Sequence, residues 1–495
     1  MARGATSVLG TQSFKMTDAA TSLAAKVWGE ADFVAAEQVL KSVSDNNVET
    51  IRVAFVDQHG VTRSKTIMAA GLKSALAKGV SMTSSLLLKD TSHATVFPVW
   101  EEDAGFGAGV MTGASDFMML PDPSTFKILP WASHTGWMIS DIYMPDGAPV
   151  QVSTRQILKN ALAQLADRGM GFVAGLEVEF YVLNVDDPRL EHHNSKWQED
   201  PPKTSLLSHG YQYLTENRAD QLEDVMELLR INAEELGLPL RSMESEFGPS
   251  QFEFTFEPSM GIVAADNMIL LRNMVKQVCQ RNGLHATFMC RPNFKNSMGS
   301  GWHLHQSVVD LKSGENLFIP SDGKELSPLA EQWIAGLLEH ANASCILSTP
   351  TINGYKRYQP FALAPDRIQW GHDNRGAMLR ALSAPGDKAS RIENRVGEPA
   401  ANPYLYLASQ VLSGLDGIDN KRTAPAPVEK PYEGDAQKLP NNLHTAIEAF
   451  EASTFYRKQL GDGFVDYLAH IKRAEWQRYL GAVSEWEQRE YFSLF

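Results

Sequence analysis

Cysteine is scarce, with three in 495 residues. Cys279, Cys290 and Cys345 lie in apolar surroundings without the spacing of a metal site, so neither a disulfide framework nor a thiolate-bound metal organises the chain. No apolar run approaches the ~18 residues that a membrane helix needs. The first 30 residues carry Arg3 and Lys15 but no apolar core, so they do not read as a secretory leader. Positive charge is in deficit, with 45 Lys and Arg against 59 Asp and Glu and a net charge of −14. That balance excludes a general binder of nucleic acid or of membrane surfaces, while leaving room for a local basic site. No GxxxxGK[ST] segment occurs, so a P-loop does not deliver a phosphate here. Internal repeats are absent too. The expectation is a reduced, cytoplasmic protein with neither a nucleic-acid nor a membrane partner.

What is present is enough apolar sequence for a large core: 43% hydrophobic and 21% charged residues. Residues 1–30, rich in Ala, Ser, Thr and Gly, predict a mobile arm. Residues 31–148 predict a small mixed domain of short strands and turns. In it, Ile51 to Val56 alternates, Asp57-Gln-His-Gly60 turns, and Val61 to Met68 returns as a hairpin. The Pro145–Pro149 cluster marks a boundary, and residues 149–495 follow as a second domain. Ser153-Thr-Arg-Gln156 reads as a capping box opening a helix through Ile157, Leu158, Ala161, Leu162 and Leu165. Further helices are predicted from Asp220 to near Gly237 and from Ser327-Pro328, with strands at Phe172–Leu183, Gln251–Phe256 and His303–Val309. The proline-bearing stretch from Arg422 to Asn442 reads as an excursion before a C-terminal helical segment. Helices mixed with strands in this way indicate an α/β or α+β domain.

Carboxylates stand where a core strand should be apolar. In Gly175-Leu-Glu-Val-Glu-Phe-Tyr-Val-Leu183, Glu177 and Glu179 share one strand face, because side chains alternate with period two. Buried like charges cost several kcal/mol each unless paired or metal-bound. A strand face open to water would explain this pair alone. The pattern returns at Glu246 and Glu253, at His303 and His305 in Gly299-Ser-Gly-Trp-His-Leu-His305, and at Glu393 within Arg391-Ile-Glu-Asn-Arg395. His303 alone would read as a hydrogen-bonded core histidine. Five carboxylates with a histidine suit a hard divalent cation, Mg²⁺ or Mn²⁺. Arg357, Arg375, Arg380, Arg391 and Arg395 supply the opposite charge, interleaved with Trp370, Leu379 and Ile392, which a solvated basic face would not need. Arginines beside a metal cage suit a polyanion such as ATP. From the residues alone, the reading stops at a metal-dependent phosphoryl-transfer enzyme or ligase.

In order along the chain, these segments resemble the glutamine synthetase family, in its γ-glutamyl-amine ligase branch. The resemblance runs from about Val56 to the C-terminus. It includes Ser115-Asp-Phe-Met-Met-Leu-Pro-Asp-Pro-Ser-Thr125, Asn353-Gly-Tyr-Lys-Arg357, Asp373-Asn-Arg375 and Ala401-Asn-Pro-Tyr-Leu405 besides the pieces above. It implies an α+β protein with an N-terminal β-grasp domain and a C-terminal catalytic domain whose antiparallel sheet forms an open funnel. It implies two to three Mg²⁺ or Mn²⁺ per site. Glu179, Glu246 and Glu253 would hold one cation, and Glu177, His303 and Glu393 another. His305 and Ser307 would lie along ATP, Arg375, Arg380 and Arg391 would face the transferring phosphoryl group, and Arg357, Arg395 and the Gly299 backbone would hold L-glutamate. Arg375, Asp90 and Glu393 carry the catalytic expectation. Family members form rings with sites shared between subunits, so the resemblance also implies a homo-oligomer, a double-ring dodecamer, in which Asp90 serves a neighbour's site.

Departures from the family pattern concern the amine. Ammonia-using members carry a flap glutamate where this chain has Leu363, within Pro360-Phe-Ala-Leu-Ala-Pro365, and an Asn where it has Met298. Ser85-Leu-Leu-Leu-Lys-Asp90 stands in place of their ammonium-site loop. Leu363, Phe361 and Met298 therefore predict an apolar amine pocket. A neutral arylamine such as aniline fits it best, because no base is needed to strip an ammonium proton. Small alkylamines, polyamines and ammonia remain alternative substrates. A non-catalytic family member would be expected to have lost metal ligands or arginines, and all are present.

Overall fold

The computed structural model describes residues 22–101 and 111–495. Ser22 caps a short helix, α1 (Leu23–Val27), whose Leu23 and Ala24 are buried. Helix α2 (Glu30–Asp45) follows, its Gly29 amide donating to the Asp32 carboxylate at 2.9 Å. Residues 22–30, expected to belong to a mobile arm over residues 1–30, are thus helical for most of their length, because they have apolar contacts to make. Residues 1–21 lie outside the described residues. The strand-and-turn reading of residues 31–148 also passed over α2, although Ala36, Val39 and Val43 recur at helical spacing and pack into the same core as Ile51 and Val53.

The hairpin forms as predicted: β1 (Thr50–Val56) and β2 (Thr62–Met68) pair antiparallel from Val56 opposite Thr62 to Thr50 opposite Met68. Asp57 Oδ1 shapes its turn by accepting from the amides of His59 and Val61. Helix α3 (Leu72–Lys78) and strands β3 (Val80–Thr83), β4 (Asp116–Pro121), β5 (Lys127–Leu129) and β6 (Ala132–Tyr143) complete the smaller sheet, ordered β2-β1-β6-β4-β3 with β5 on β6. Only the β1–β6 pairing in it is parallel.

Helix α4 (Thr154–Ala166) opens the larger unit. Ser153 Oγ accepts from the Gln156 amide, but the Gln156 side chain donates to Asn160, so only half of the expected capping box is made. The strands are β7 (Met170–Asp187), β8 (Lys203–Ser205), β9 (Leu240–Ser245), β10 (Gln251–Phe256), β11 (Ser259–Met260), β12 (Leu284–Thr287), β13 (Trp302–Asp310), β14 (Trp370–His372), β15 (Leu379–Leu382) and β16 (Arg391–Asn394). They form one sheet in the order β14-β15-β16-β13-β7-β10-β9, with β8, β11 and β12 also on β7. It is antiparallel except between β14 and β15. Between these strands run α5 (Glu216–Glu235), α6 (Ile262–Arg281), α7 (Pro328–Glu339) and α8 (Ala341–Ser348). Helix α5 starts four residues before the predicted Asp220, at the position after Thr215. Helices α9 (Pro403–Asp419), α10 (Leu443–Glu451), α11 (Thr454–Leu460), α12 (Asp462–Leu480) and α13 (Glu485–Tyr491) follow.

The sheet's two faces have opposite chemistry. Val178, Phe180, Phe252, Phe254, Trp302 and Leu304 are fully buried, on the face backed by α4, α6, α7 and α9. Burying one such ring contributes about 1.5–3 kcal/mol. The residues between them in sequence turn to the other face, where the acidic and basic side chains gather. One cation ties the two sheets' halves of the molecule together. Arg155 of α4, 4% exposed, pairs with Asp122 at 2.8 Å and Asp141 at 2.9 Å from the N-terminal half, and with Asp266 of α6 at 2.8 Å. Asn402 adds a bond to the Asp57 carbonyl, and Arg52 one to Gln277. No helix among the described residues is long and apolar enough to cross a membrane.

Candidate active site

Strand register builds the acidic cluster. On β7, Glu179 stands opposite Glu253 of β10, and Glu177 opposite His303 of β13. On the far side of β13, His305 stands opposite Glu393 of β16, which in turn faces Arg380 of β15. Neighbours directly across an antiparallel pair sit close enough to share a ligand. Ligand atoms of Glu177, His303 and Glu393 all lie within 4.8 Å of one another, as do those of Glu179, Glu253 and His303, and those of Glu244, Glu246 and Glu253. The predicted set of Glu177, His303 and Glu393 is therefore brought together. The predicted set of Glu179, Glu246 and Glu253 is split, with Glu253 as the shared member and Glu244 added. Glu244, near the end of β9 and opposite Glu253, was missed, although it precedes Glu246 by only two positions.

The hydrogen bonds assign the histidine tautomers. Arg357 Nη2 donates to His303 Nε2 at 3.1 Å, so Nδ1 carries the proton and donates to Glu177 Oε1 at 2.6 Å. Arg391 Nε donates to His305 Nδ1 at 3.0 Å, leaving His305 Nε2 to donate to Glu177 Oε2 at 2.9 Å. Burial and then Arg395 pull the His303 pKa down to about 4, so the ring is neutral at pH 7. Burial acts to raise Glu177, but His303 and His305 outweigh it and hold the carboxyl well below its usual range.

The other carboxylates go the opposite way. Burial, then Glu246, raises Glu179 to about 8. Burial, then Glu177, Glu179 and Glu246, raises Glu253 to about 11. Burial also lifts Glu246 to about 7, despite the Phe247 amide bonded to its Oε2. Glu179 has Gln251 Nε2 at 2.9 Å, a neutral partner that cannot offset the charge. This side of the cluster carries repulsion that its own side chains leave unbalanced. Hard oxygen donors with one imidazole, short of positive charge, fit Mg²⁺ or Mn²⁺. Glu393 differs: wholly buried, it accepts from Arg380 Nη1 at 3.0 Å and from Arg395, and the charge of Arg395 above all holds its pKa down against burial.

The arginines take separate posts. Arg380 is steadied by Asp373, whose Oδ1 accepts from its Nε at 2.9 Å. Arg357 is buried and donates to the Arg395 carbonyl at 2.9 Å. The loop before β13 can lie on it only because it is glycine-rich: a Cβ at Gly299 would sit 3.0 Å from Arg357 Cγ, and one at Gly301 only 2.6 Å from Arg357 Nη2. Arg395 Nη2 reaches the Leu363 carbonyl at 3.4 Å. Arg375 is exposed.

Beside the cluster opens a cavity of about 1,020 Å³, walled by Glu177, Glu244, His305, Ser307 and Arg391 together with Arg241 and Lys388. It thus collects His305, Ser307 and Arg391, three of the residues predicted to bind ATP. Arg241 and Lys388 had no motif to announce them. Phe361, Leu363 and Met298 are 81%, 50% and 41% exposed. Phe361 and Leu363 both adopt positive φ, a costly conformation for bulky residues, with the Phe361 ring tilted against Tyr432 at 4.9 Å. The Met298 amide and carbonyl are both pinned by the Tyr181 hydroxyl.

Asp90 stands apart from this group. Its Oδ1 accepts from the Ser92 amide, the Ser92 hydroxyl and the Ala94 amide, and Oδ2 pairs with Arg478 of α12 at 3.0 Å. At 3% exposure, a carboxylate must be satisfied this way, and within the chain it clamps its own loop to α12.

Comparison with known proteins places this geometry. Residues 151–491 match the sequence profile described as the glutamine synthetase catalytic domain. Over 487 residues, covering 94% of this chain and 97% of the relative, the sequence is 42% identical to γ-glutamylanilide synthase of an Acinetobacter species. It is 31% identical over 471 residues to glutamine synthetase of Methanosarcina mazei, covering 92% and 98%. The solved structure titled "Apo GmaS without ligand" superposes with a TM-score of 0.77 at 27% identity, covering 92% of this chain and 99% of that one. With its acidic sheet face, its arginines and this breadth of likeness, the chain belongs to the glutamine synthetase family and is an ATP-dependent ligase.

Proposed function

We propose that this ligase joins the γ-carboxylate of L-glutamate to a hydrophobic amine, an arylamine such as aniline in the first place, through γ-glutamyl phosphate. The observation that carries the reading is the flap over Arg395. From Gln359 through Ala364 it holds no ionisable side chain, and Leu363 stands at the position that the family resemblance gives to the flap glutamate of ammonia-using members. An amine that arrives as an ammonium ion would keep its proton there. An arylamine, largely uncharged near neutral pH, needs no such base. The 42% identity to a protein named γ-glutamylanilide synthase supports the same substrate class.

In this reading Arg357 and Arg395, with the Gly299 backbone, hold the glutamate carboxylates. ATP occupies the cavity along His305 and Ser307. Glu179, Glu246 and Glu253, with Glu177, His303 and Glu393, hold two to three divalent cations, which when bound neutralise phosphate oxygens. Arg375, Arg380 and Arg391 stabilise charge on the phosphoryl group as it passes to the γ-carboxylate, and Asp373 keeps Arg380 aimed. The amine nitrogen then attacks the acyl carbon, phosphate leaves, and the amine's proton goes to solvent or to the departing phosphate. Asp90 remains the candidate for a neighbour's amine site. We take the enzyme to be cytoplasmic, as its three buried free thiols suit, and to assemble as a double-ring dodecamer.

The test is phosphate release from ATP with glutamate, Mg²⁺ and, in turn, ammonia, methylamine, isopropylamine, ethanolamine, putrescine and aniline. Turnover with aniline and little with ammonia is expected; turnover with ammonia alone would overturn the reading. Leu363→Glu is expected to lower kcat/KM for aniline at least tenfold and to raise ammonia use, since it places a charge against the amine ring. Unchanged aniline kinetics in that variant would remove Leu363 from the pocket.

A further inference from the structure

The connection between β7 and α5 exposes more aromatic surface than a surface loop requires, with Trp197, Tyr211 and Tyr213 at 75%, 66% and 43% exposure. Tyr213 does not simply face water. Its ring lies flat on Phe247, with centroids 4.3 Å apart and planes 7° apart. The two segments are laced together, the Tyr211 amide donating to the Phe247 carbonyl at 2.7 Å and the Leu214 amide to the Ser245 carbonyl at 3.4 Å. Phe247 directly follows Glu246 in the acidic cluster and keeps 37% of its own surface exposed.

Packing locates this stack. Gly248, which follows Phe247, lies against Tyr181: a Cβ there would sit 2.2 Å from the Tyr181 hydroxyl, and that hydroxyl holds both the amide and the carbonyl of Met298, next to Gly299. The large cavity beside the cluster is walled by Arg241, Ser242 and Glu244, but not by Phe247 or Tyr213, so the stack lies outside the nucleotide's space. An exposed, flat aromatic pair at the glutamate end of the site has one ready use, a surface for another flat ring.

We propose that Phe247 and Tyr213 form an aromatic wall of the amine subsite and select a flat aromatic amine over a saturated one of equal size. This rests on the reading of the chain as a γ-glutamyl-amine ligase and adds specificity residues to it. A saturated ring buries similar apolar area but has no face to stack, so the wall acts on the ratio between the two amines.

The experiment compares kcat/KM for aniline and cyclohexylamine in wild type and in Phe247→Leu, Tyr213→Leu and Tyr213→Phe, with melting temperatures as a check on folding. The aniline-to-cyclohexylamine ratio is expected to fall about three- to tenfold in each leucine variant, mainly through the KM for aniline, and to be retained in Tyr213→Phe. Should Phe247→Leu fail to fold, Tyr213→Leu and Tyr213→Phe carry the comparison. A ratio left unchanged by the leucine variants, in an enzyme that uses aniline, would overturn the wall alone. Wild-type turnover with ammonia alone would overturn the ligase reading and the wall with it.

Discussion

Glu253→Gln is expected to make the metal-free protein more heat-stable while removing its activity. Burial and four neighbouring carboxylates raise the Glu253 pKa to about 11, far above its value in the unfolded chain. A group whose folded pKa is raised binds more protons folded than unfolded. Its contribution to stability is therefore complete at low pH and lost as pH rises past the unfolded value toward the folded one. At pH 7.5 glutamine, which carries no proton to lose and no charge to repel, is expected to recover about 1–4 kcal/mol. The same change removes an oxygen donor from the two acidic groups that share Glu253, and turnover is expected to fall at least about a thousandfold. Melting in EDTA from pH 6 to pH 8 checks the first half. The wild-type melting temperature should fall across this range more than the variant's, and the gap should narrow when Mg²⁺ is added. A variant that melts at or below wild type at pH 7.5 in EDTA would show that the cluster is not under the repulsion described.

Glu393→Gln is expected to do the reverse to stability and the same to activity. Glu393 is wholly buried and balances Arg380 and Arg395, so removing its charge leaves two guanidinium groups without their shared partner. Breaking a buried pair of this kind costs about 3–5 kcal/mol. The variant should melt well below wild type in EDTA and release no phosphate with any amine. Asp373→Asn touches Arg380 from the exposed side and should cost far less stability, because that carboxylate side chain is 70% exposed. Equal melting temperatures for Glu253→Gln and Glu393→Gln would contradict the division of the site into an underbalanced half and a balanced half.

That division was only partly legible in the sequence. The period-two placement of Glu177 with Glu179, and of His303 with His305, announced a polar strand face inside an apolar core, and the structure places both pairs on it. The sequence carries no register, however. Which carboxylates would oppose each other depended on how β10, β13 and β16 slide against β7, and a slip of one residue would have turned every ligand into the core. The regrouping of Glu253 with Glu244 follows from that register. Arg241, Lys388 and the Tyr213–Phe247 stack come together only through tertiary packing, so no local pattern marked them. Helix α2 is a different case: its apolar spacing was present, but it stood between a polar arm and a clear hairpin that drew the reading toward strands.

Arg155 bears on how the molecule holds together as a whole. The change of sequence pattern near Pro149 looks like a seam, yet six residues past it a single guanidinium, that of Arg155, reaches back across to Asp122 and Asp141 while gripping Asp266 on its own side. Lys159 reaches back as well, to Asp141. Parting the chain at the seam would strand two carboxylates on one piece and two cations on the other. Neither piece would be a free-standing module, and heating would take both through one shared transition. A ligand bound in the acidic funnel would then protect the hairpin of the other half against unfolding, although the two share no residue.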